Sequence, residues 1–424
     1  MQAIGIDIGT TSICGVLVED GKLVRSKTVN YNAFIPTAND WEKIQDAEKI
    51  ISLALSVLDQ LKTTNTAVIG VTGQMHGIVY TDKDGVSVSP LYTWQDGRGN
   101  LPYKNTTYAG YLGSYSGYGT VTDFYNRVNG LVPKTAVSFC TIHDYLVMRL
   151  CGLKTPFIHS SDACSFGLYD LEKNEFTFDY NGKVTADYAI AGCHNGIPVS
   201  VAIGDNQASV FSTLIDENDL LVNAGTGSQV SIVSNAPVVA EGVETRPYFG
   251  GKYLLVGAVL CGGRAYSMLK DFYAGILRKV NKDVTDAEIY QIMAETLNDG
   301  VESLTVDTRF AGTRAHPEIK GSITGVDTVN FTPSALTRGV IKGMAEELYS
   351  VYKQMGVKKS GLVGSGNGIR KNALFKNALE QKFGAKMKIP AHNEEASFGS
   401  ALFALIAVGA YKDEKQARAS ISYQ

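Results

Sequence analysis

The feature that most constrains the fold is a sequence repeat between the two halves of the chain. The segment IGIDIGTTSICGVLV at 4–18 aligns with LLVNAGTGSQVSIVS at 220–234 at a constant offset, which places Gly9 opposite Gly225. Each copy reads as a strand, a small turn containing Gly and Thr, and a second strand. Two unrelated hairpins with common turn residues would explain either copy alone. A match in register, with one copy in each half, favours a duplicated architecture.

Length and residue pattern agree with two folded domains. The chain has 424 residues, of which 44% are hydrophobic and 19% charged, so it is long for one core and ordinary for a globular protein. Short apolar runs predict strands over 2–7, 12–19, 22–31, 67–72, 220–224 and 229–234. Apolar residues at helical spacing predict helices over 46–62, 264–280, 286–298, 333–355, 371–383 and 397–408. The alternation of strands and helices predicts an α/β fold.

Charge, cysteine usage and hydropathy argue against several classes of protein. The formal net charge of −3 does not suit a binder of nucleic acid or of an anionic membrane. The six cysteines are scattered without a CxxC pair, which indicates reduced thiols rather than a disulfide framework or a zinc site. No apolar run reaches the ~18 residues of a membrane span, and the first strand follows Met1 too closely for a signal peptide. We expect a cytoplasmic protein.

The turns of the repeat suit phosphate oxygens, because small residues expose backbone N–H groups and Thr and Ser add hydroxyl donors. The chain has no GxxxxGK[ST] sequence and therefore no P-loop. The Rossmann pattern also fails, because the first turn leads into a strand and GxGxxG is absent. We predict a phosphate clamp formed by Gly9, Thr10, Thr11, Gly225 and Thr226. Asp7, directly before the first turn, is predicted to hold a hydrated Mg²⁺ ion.

Several motifs together resemble one enzyme family. The DIGTTS and NAGTGS hairpins are similar to the phosphate motifs of the actin, hexokinase and heat-shock-chaperone ATPase superfamily. Within it, the chain resembles the FGGY carbohydrate kinases, and most closely their sedoheptulokinase branch, through TGQMHG (72–77), WQDGR (94–98), SGYGT (116–120), CTIHDYLVMRLCGL (140–153) and IGDNQAS (203–209). The resemblance covers residue 4 to about 408. It implies two ribonuclease-H-like domains, 1–204 and 205–424, around a central cleft. It also implies transfer of the γ-phosphoryl group of ATP to a terminal sugar hydroxyl.

Asp205 is the candidate general base for that transfer. It follows the apolar stretch PVSVAI and precedes a stretch with helical character. Phosphoryl transfer needs a group that orients and deprotonates the attacking hydroxyl, and a carboxylate can do both. An Asp that only caps the following helix would fit the local sequence as well. The resemblance places the family's catalytic aspartate at Asp205.

Two stretches are the candidate sugar pocket. Gln74, Met75 and His76 follow a predicted strand, and ligands bind at the carboxyl ends of strands in open α/β sheets. In WQDGR, the ring of Trp94 could stack on a sugar, while Asp96 and Arg98 match its hydroxyl groups. A structural histidine and an Asp-Gly surface turn are the simpler alternatives. The resemblance implies that both stretches line the sugar site, with Asn206 beside the base.

Two glycine-rich stretches are the candidate nucleotide site. LVGSGNGIRKN (362–372) leads into a predicted helix, and its Gly366, Asn367 and Asn372 are expected to contact the nucleotide. A flexible surface loop is the alternative for this stretch. CGGRAYSMLKDFY (261–273) resembles the family's Gly-Gly turn, in which Gly262 and Gly263 begin a helix whose N-terminus faces phosphate. NEEASFGSALFA (393–404) resembles the family's terminal helix, for which we expect a packing role.

The chain departs from the family pattern at Cys14. Related kinases usually carry Lys or Arg at this position, two residues after the serine of DIGTTS, so a cationic phosphate contact is missing. We expect another group or Mg²⁺ to supply that charge. The chain is also shorter than most of the family, which implies trimmed loops near the sugar pocket or at an oligomer interface.

The predicted ligands are ATP, Mg²⁺ and a small sugar, and the predicted assembly is a monomer or a homodimer. Xylulose and other sugars or polyols stay open as alternatives to sedoheptulose, because they differ by few hydroxyl groups. A non-kinase ATPase of the same superfamily is a second alternative, although it would not need TGQMHG or WQDGR. A sugar-sensing repressor is disfavoured, because no helix-turn-helix precedes Gln2 and the net charge is negative.

Overall fold

The computed structural model describes residues 1–225, 227–295, 303–313, 316 and 318–424. The chain divides into two compact units. Unit 1 contains Met1–Ile215, Arg246–Lys252 and His392–Ile421, and unit 2 contains Asp216–Thr245, Tyr253–Ala391 and Ser422–Gln424. Both units combine a sheet with helices, which confirms the predicted two-domain α/β fold. The family-domain boundary predicted at 204/205 stays a prediction.

Unit 1 is built on a seven-stranded sheet. Its strands lie in the order Ile190–His194, Ile197–Ser200, Thr66–Gly73, Gln2–Ile8, Ser12–Glu19 and Lys22–Asn30, with Ile203–Gly204 also paired to Thr66–Gly73. The central strands bury apolar residues on both faces, as expected for strands covered by helices on each side. One covering helix is Ala47–Leu61, whose first turn is capped by the carboxylate of Asp46.

The remaining elements of unit 1 surround this sheet. The other α-helices are Tyr108–Tyr111, Gly119–Val128, Ile142–Cys151, Ser160–Ser165, Asp205–Thr213, Glu395–Ala407 and Glu414–Arg418, and 3₁₀ turns span Gly97–Asn100 and Phe249–Gly251. The short strands are Ile44–Gln45, Val79–Thr81, Leu91–Tyr92, Pro102–Tyr103, Thr106–Thr107, Ser138–Cys140, Phe157–His159, Tyr169–Asp170, Glu175–Phe176 and Lys183–Thr185.

The helix Glu395–Ala407 packs directly on the central sheet of unit 1. A Cβ atom at Gly5 would lie 1.8 Å from the backbone oxygen of Ser397, and one at Gly70 would lie 2.0 Å from that of Ser400. Both sheet positions therefore require glycine, because the helix backbone occupies the space of a side chain. The helix has the packing role that we expected for the stretch at 393–404.

Unit 2 is built on a six-stranded sheet. Its strands lie in the order Val243–Pro247, Tyr253–Val259, Ser228–Ser234, Asp219–Ala224, Gly361–Ser365 and Met387–Lys388, and the last two residues of the first of these belong to unit 1. Its helices are Gly262–Val280, Asp286–Glu295, Pro333–Gln354, Asn367–Arg370 and Ala373–Phe383, and a separate strand pair joins Thr305–Asp307 to Ser322–Thr324. The helix predicted over 286–298 is present as far as Glu295, and 296–298 lie outside the described residues. Within the described ranges, no helix is long and apolar enough to cross a membrane.

The two sheets repeat one topology around the two hairpins. In each, the first hairpin strand pairs antiparallel with the second and parallel with a later strand, Thr66–Gly73 in unit 1 and Gly361–Ser365 in unit 2. The second hairpin strand then pairs antiparallel with a third strand in both units. This agreement supports the duplication predicted from the sequence repeat.

Candidate active site

The first hairpin turn directs its carbonyl groups toward the protein. The oxygen of Gly9 accepts from the Tyr31 hydroxyl over 2.5 Å, and the oxygen of Thr10 accepts from Gln45 Nε2 over 2.8 Å. The oxygen of Thr11 accepts from the backbone N–H of Tyr31 over 2.9 Å. In a planar trans peptide the N–H points opposite to the carbonyl. The N–H groups of Thr10, Thr11 and Ser12 therefore point away from these partners, as a phosphate-binding turn requires.

A chain of hydrogen bonds connects this turn to the candidate sugar residues. Trp94 Nε1 donates to Thr10 Oγ1 over 3.0 Å, and Thr10 Oγ1 donates to Gln74 Oε1 over 3.3 Å. Gln74 Nε2 donates in turn to Gln45 Oε1 over 3.1 Å. Trp94 is 46% exposed, although Gln74 is buried. The structure therefore brings the predicted phosphate turn, Gln74 and Trp94 together in unit 1.

Asp205 is the first residue of the helix Asp205–Thr213. Gly204 occupies the N-cap position, so the structure does not support the alternative that Asp205 is only a helix cap. The backbone before it is held by buried hydroxyl groups. Thr72 Oγ1 donates to the oxygen of Ile203 over 2.6 Å, and Ser161 Oγ accepts from Gly204 N–H over 3.0 Å. These bonds fix the position from which the Asp205 carboxylate projects.

The thioether of Met75 lies against the turn that carries Asp205. Met75 Sδ is 3.8 Å from Asn206 Nδ2 and 3.7 Å from Nη1 of Arg246. A Cβ atom at Gly204 would lie 2.8 Å from the same sulfur. The predicted residues Met75, Asp205 and Asn206 are thus grouped in space. Arg246 belongs to the same group.

The electrostatics of this group are dominated by two carboxylates. Burial and the charge on Asp205 raise the pKa of Asp7 to about 7. Burial also raises the pKa of Asp205, although Arg246 and His143 oppose that rise. Two partly buried carboxylates that repel each other are a fitting environment for a divalent cation with oxygen ligands, since the cation favours the charged form of both. The Asp7 carboxylate is thus an oxygen donor of the type that Mg²⁺ takes, and its role as a Mg²⁺ ligand stays a prediction.

His76 is held in a strained backbone conformation. Its φ of 72° lies in the left-handed region, which is uncommon for residues other than glycine. Its backbone N–H donates to Ser165 Oγ, its Nδ1 lies 2.8 Å from the oxygen of Ser165, and its ring stacks on Tyr118 with centroids 4.3 Å apart. Such strain is often found at functional sites. Its contact with a sugar stays a prediction.

Asp96 and Arg98 form a buried ion pair. Arg98 Nε donates to Asp96 Oδ1 over 2.7 Å and Nη2 donates to Oδ2 over 3.1 Å. Nη1 donates to Asn126 Oδ1, and the guanidinium carbon lies 4.3 Å from the ring centroid of Tyr92. Asp96 Oδ2 also accepts from the N–H of Lys43 over 3.0 Å. These bonds hold the loop that presents Trp94. A direct sugar contact of either residue stays a prediction.

In unit 2, two glycine-rich turns pack against the second hairpin. A Cβ atom at Gly263 would lie 2.2 Å from the oxygen of Gly225, and one at Gly262 would lie 2.5 Å from Ser228 Oγ. Gly366 has a φ of 86°, and its Cβ would lie 2.4 Å from the oxygen of Ala224. Gly225, Gly262, Gly263 and Gly366 are therefore together, as predicted for a nucleotide site. Thr226 lies outside the described residues.

The two asparagines predicted for the nucleotide differ in their local roles. Asn372 is the N-cap of the helix Ala373–Phe383, and its Oδ1 accepts from the N–H of Phe375 over 3.0 Å. Asn367 is exposed at the start of the short helix Asn367–Arg370. The cap occupies the side-chain oxygen of Asn372, which leaves its amide group for any ligand contact. Nucleotide contacts of both residues stay predictions.

Sequence reasoning missed Arg246 and Tyr31. Arg246 lies in VETRPYF, a stretch with no recognised motif, and it reaches Met75 only through the fold. Tyr31 follows the third strand, and nothing local indicates its bond to Gly9. No pattern in the sequence alone identifies either residue, because both contacts join segments far apart in the chain.

Comparison with known protein families agrees with this geometry. Residues 2–111 match the N-terminal domain model of the FGGY family of carbohydrate kinases, and residues 220–408 match its C-terminal domain model. The chain belongs to the FGGY family of carbohydrate kinases. Both hairpin turns lie within the matched ranges of this family.

Individual proteins of known identity are similar along the whole chain. Mouse (Mus musculus) sedoheptulokinase is 26% identical, and the match covers 95% of this chain and 97% of the relative. The crystal structure of xylulose kinase from Rhodospirillum rubrum aligns with a TM-score of 0.85 at 19% identity, covering 100% of this chain and 93% of the other. Plasmodium falciparum glycerol kinase with ADP aligns with a TM-score of 0.74 at 17% identity, covering 99% and 92%. The two structural matches support the FGGY kinase fold.

Proposed function

We propose that this FGGY kinase uses ATP to phosphorylate the terminal hydroxyl of a ketose, and that sedoheptulose is converted to sedoheptulose 7-phosphate. The observation that carries the proposal is the position of Asp205. It begins a helix from a turn fixed by buried bonds, and it lies beside Met75 and Asn206. A carboxylate held in this way is suited to act on one hydroxyl of a bound sugar.

In the proposed reaction, Asp205 accepts the proton of the attacking hydroxyl. The hydroxyl oxygen forms a bond to the γ-phosphorus as the bond from that phosphorus to the bridging oxygen breaks, and ADP leaves. The raised pKa of Asp205 makes it a stronger base than an ordinary aspartate. Asn206 Nδ2 donates to Asp205 Oδ1 over 3.2 Å, which orients the carboxylate.

The phosphates of ATP are proposed to bind at the hairpin turns. The N–H groups of Thr10 and Thr11 point away from their protein partners and are available to phosphate oxygens. Unit 2, taken by itself, offers further N–H donors at the N-terminus of the helix Gly262–Val280. Mg²⁺ held by Asp7 would neutralise phosphate charge when bound. The ADP in the glycerol kinase structure supports nucleotide use by this fold.

The sugar is proposed to bind near Trp94, Gln74, His76 and Asn206. The half-exposed ring of Trp94 offers an apolar face for stacking. The choice of a seven-carbon ketose rests on the similarity to mouse sedoheptulokinase, which extends over nearly the whole length of both chains. Xylulose is the second candidate, supported by the structural match to xylulose kinase. The predicted cytoplasmic location and the predicted monomer or homodimer stay predictions.

The test is sugar-dependent ADP formation with a panel of sedoheptulose, xylulose, ribulose, gluconate and glycerol. We expect the highest kcat/KM for a ketose, with sedoheptulose ahead of the five-carbon sugars. Higher efficiency with glycerol or gluconate would contradict the ketose assignment. ATP turnover that no sugar stimulates would favour an ATPase without kinase activity.

A further inference from the structure

The helix Gly262–Val280 of unit 2 carries large apolar side chains on an exposed side. Met268 is 44% exposed, and Phe272 and Ile276 are each 55% exposed. These three residues lie four positions apart, so they follow one side of the helix. A helix at the surface of a domain usually turns its apolar residues to the core and its charged residues to solvent. Three large apolar side chains in a row at the surface therefore indicate a contact surface.

Other sides of this helix are already packed within unit 2. The hydroxyl of Tyr273 donates to the oxygen of the first residue of the helix Pro333–Gln354 over 2.8 Å. The rings of Tyr266 and Tyr290 stack with centroids 5.6 Å apart, which joins the helix to Asp286–Glu295. Tyr266 and Tyr273 are seven positions apart and share one side of the helix, about 100° around the axis from the neighbouring apolar row. The two packed helices therefore leave the apolar row exposed.

The exposed side also carries two opposite charges that are spaced evenly about a glycine. Asp271 and Lys279 each lie four positions from Gly275, or about 6 Å along the helix axis. Both are exposed, and Asp271 keeps 65% exposure although it pairs with Lys270 over 2.6 Å. Among the described residues, no atom outside the helix lies within 4 Å of the place where a Cβ atom of Gly275 would be. The glycine therefore leaves space for the close approach of another backbone.

This arrangement is complementary to itself when two copies of the helix run antiparallel. With Gly275 of one copy against Gly275 of the other, Asp271 lies opposite Lys279 of the partner subunit. The two-fold symmetry of such a contact forms the same ion pair twice. Phe272 and Ile276 flank the crossing point and would lose their exposed apolar surface to the contact. A parallel pairing in the same register would instead bring like charges together.

We propose that a second copy of this chain binds at this side of the helix, with the two helices antiparallel and crossing at Gly275. The contact surface on each copy consists of Met268, Asp271, Phe272, Gly275, Ile276 and Lys279. One helix face per subunit is at the low end of specific interfaces, below about 1,200 Å² in total, so the dimer is a weak one. The inference does not depend on the proposed kinase function.

The experiment measures the association state by sedimentation velocity for the wild-type protein, Asp271→Lys and Lys279→Asp. We expect the wild-type protein to pass from monomer to dimer between ~1 and ~300 µM, the range of a weak interface. Each single variant should dimerise at least about tenfold more weakly, because both ion pairs become like-charge pairs. An equimolar mixture of the two variants should dimerise within about threefold of wild type, because both pairs of the mixed dimer again join opposite charges.

A second variant tests the apolar part of the surface, and a third is the matched control. Phe272→Ser/Ile276→Ser should abolish the dimer and melt close to the wild-type temperature, because both side chains are exposed in the monomer. Lys353→Asp is the control, because Lys353, like Lys279, is an exposed lysine in the last turn of a helix of unit 2. The control variant should dimerise as the wild-type protein does.

Three results would overturn the inference. Wild-type protein that stays monomeric at every concentration would mean that the exposed side does not bind a second copy, and it would then fit a different protein. A dimer that persists in Phe272→Ser/Ile276→Ser would place the interface elsewhere. A mixture of Asp271→Lys and Lys279→Asp that stays monomeric would exclude the antiparallel crossing at Gly275.

Discussion

The indole Nε1 of Trp94 donates a hydrogen bond to Thr10 Oγ1 over 3.0 Å, which joins the candidate sugar loop to the candidate phosphate turn. Thr10 Oγ1 in turn donates a hydrogen bond to Gln74 Oε1 over 3.3 Å. The two predicted binding regions of unit 1 therefore share one hydrogen-bond network. A substitution of Trp94 should therefore weaken the binding of both the sugar and ATP.

Trp94→Phe removes the N–H donor and keeps an aromatic face. A single hydrogen bond contributes about 0.5–1.5 kcal/mol net, so we expect kcat/KM to fall roughly two- to tenfold. The KM for both sugar and ATP should rise, and steady-state kinetics at varied sugar and ATP would measure this. Trp41→Phe is the control, because the Trp41 ring packs on Tyr125. A rise confined to the sugar KM would mean that the bond to Thr10 does not couple the two ligands.

Asp205→Asn tests the proposed base. The substitution keeps the size of the side chain and cannot accept the proton of the sugar. We expect kcat to fall about 10²-fold or more, with sugar and ATP affinity within about tenfold of wild type. Single-turnover kinetics and calorimetric binding would measure the two effects separately. Near wild-type turnover would mean that the base lies elsewhere.

Asp7→Asn tests the proposed Mg²⁺ ligand. Loss of the carboxylate should weaken the hold on the hydrated ion, so activity should fall at low Mg²⁺ and recover in part at high Mg²⁺. Asp205→Asn is the matched control, because the activity that this variant loses should not be recovered when the Mg²⁺ concentration is raised. The measurement is kcat as a function of Mg²⁺ concentration for both variants. An Asp7→Asn defect that is equal at all Mg²⁺ concentrations would count against this role.

The sequence predicted the secondary structure around the site well, because local patterns determine it. The strand over 12–19 is observed as Ser12–Glu19 without any shift. The helix predicted over 371–383 begins later, at Ala373, because the side chain of Asn372 caps a new helix after the short turn Asn367–Arg370. The helix predicted over 264–280 begins two residues earlier, at Gly262, where the family resemblance placed its start.

The sequence could not predict how polar residues are used in three dimensions. Asp96 and Arg98 have the donors and acceptors of a sugar site, and only burial reveals that they bond to each other. The charge of Arg246 acts on Asp205, although 40 positions separate the two residues in the sequence. No local sequence pattern predicts that proximity. Residue type predicts what a side chain can bind, whereas the fold decides which partner it meets.

The raised pKa of Asp7 predicts a pH dependence of stability in the absence of Mg²⁺. The folded-state pKa of about 7 exceeds the unfolded value of 3.8, so the folded protein binds more protons between these pH values. The contribution of Asp7 to stability is therefore greatest below pH ~4 and is lost as pH rises toward ~7. Asp7→Asn should flatten that decline and raise the melting temperature at neutral pH. Melting curves from pH 4 to 8 would measure it, and parallel curves for both proteins would contradict it.

Arg98→Met tests whether the buried ion pair holds the Trp94 loop. The substitution leaves the Asp96 carboxylate buried without its main partner, and loss of one member of a buried pair costs about 3–5 kcal/mol. Arg127→Met is the matched control, because Arg127 pairs with Asp123 at the surface and is 64% exposed. Exposed pairs contribute about 0–1 kcal/mol, so this variant should unfold at nearly the same urea concentration as wild type. Equal losses of stability in the two variants would mean that the Arg98 pair is no more important to the fold than a surface pair.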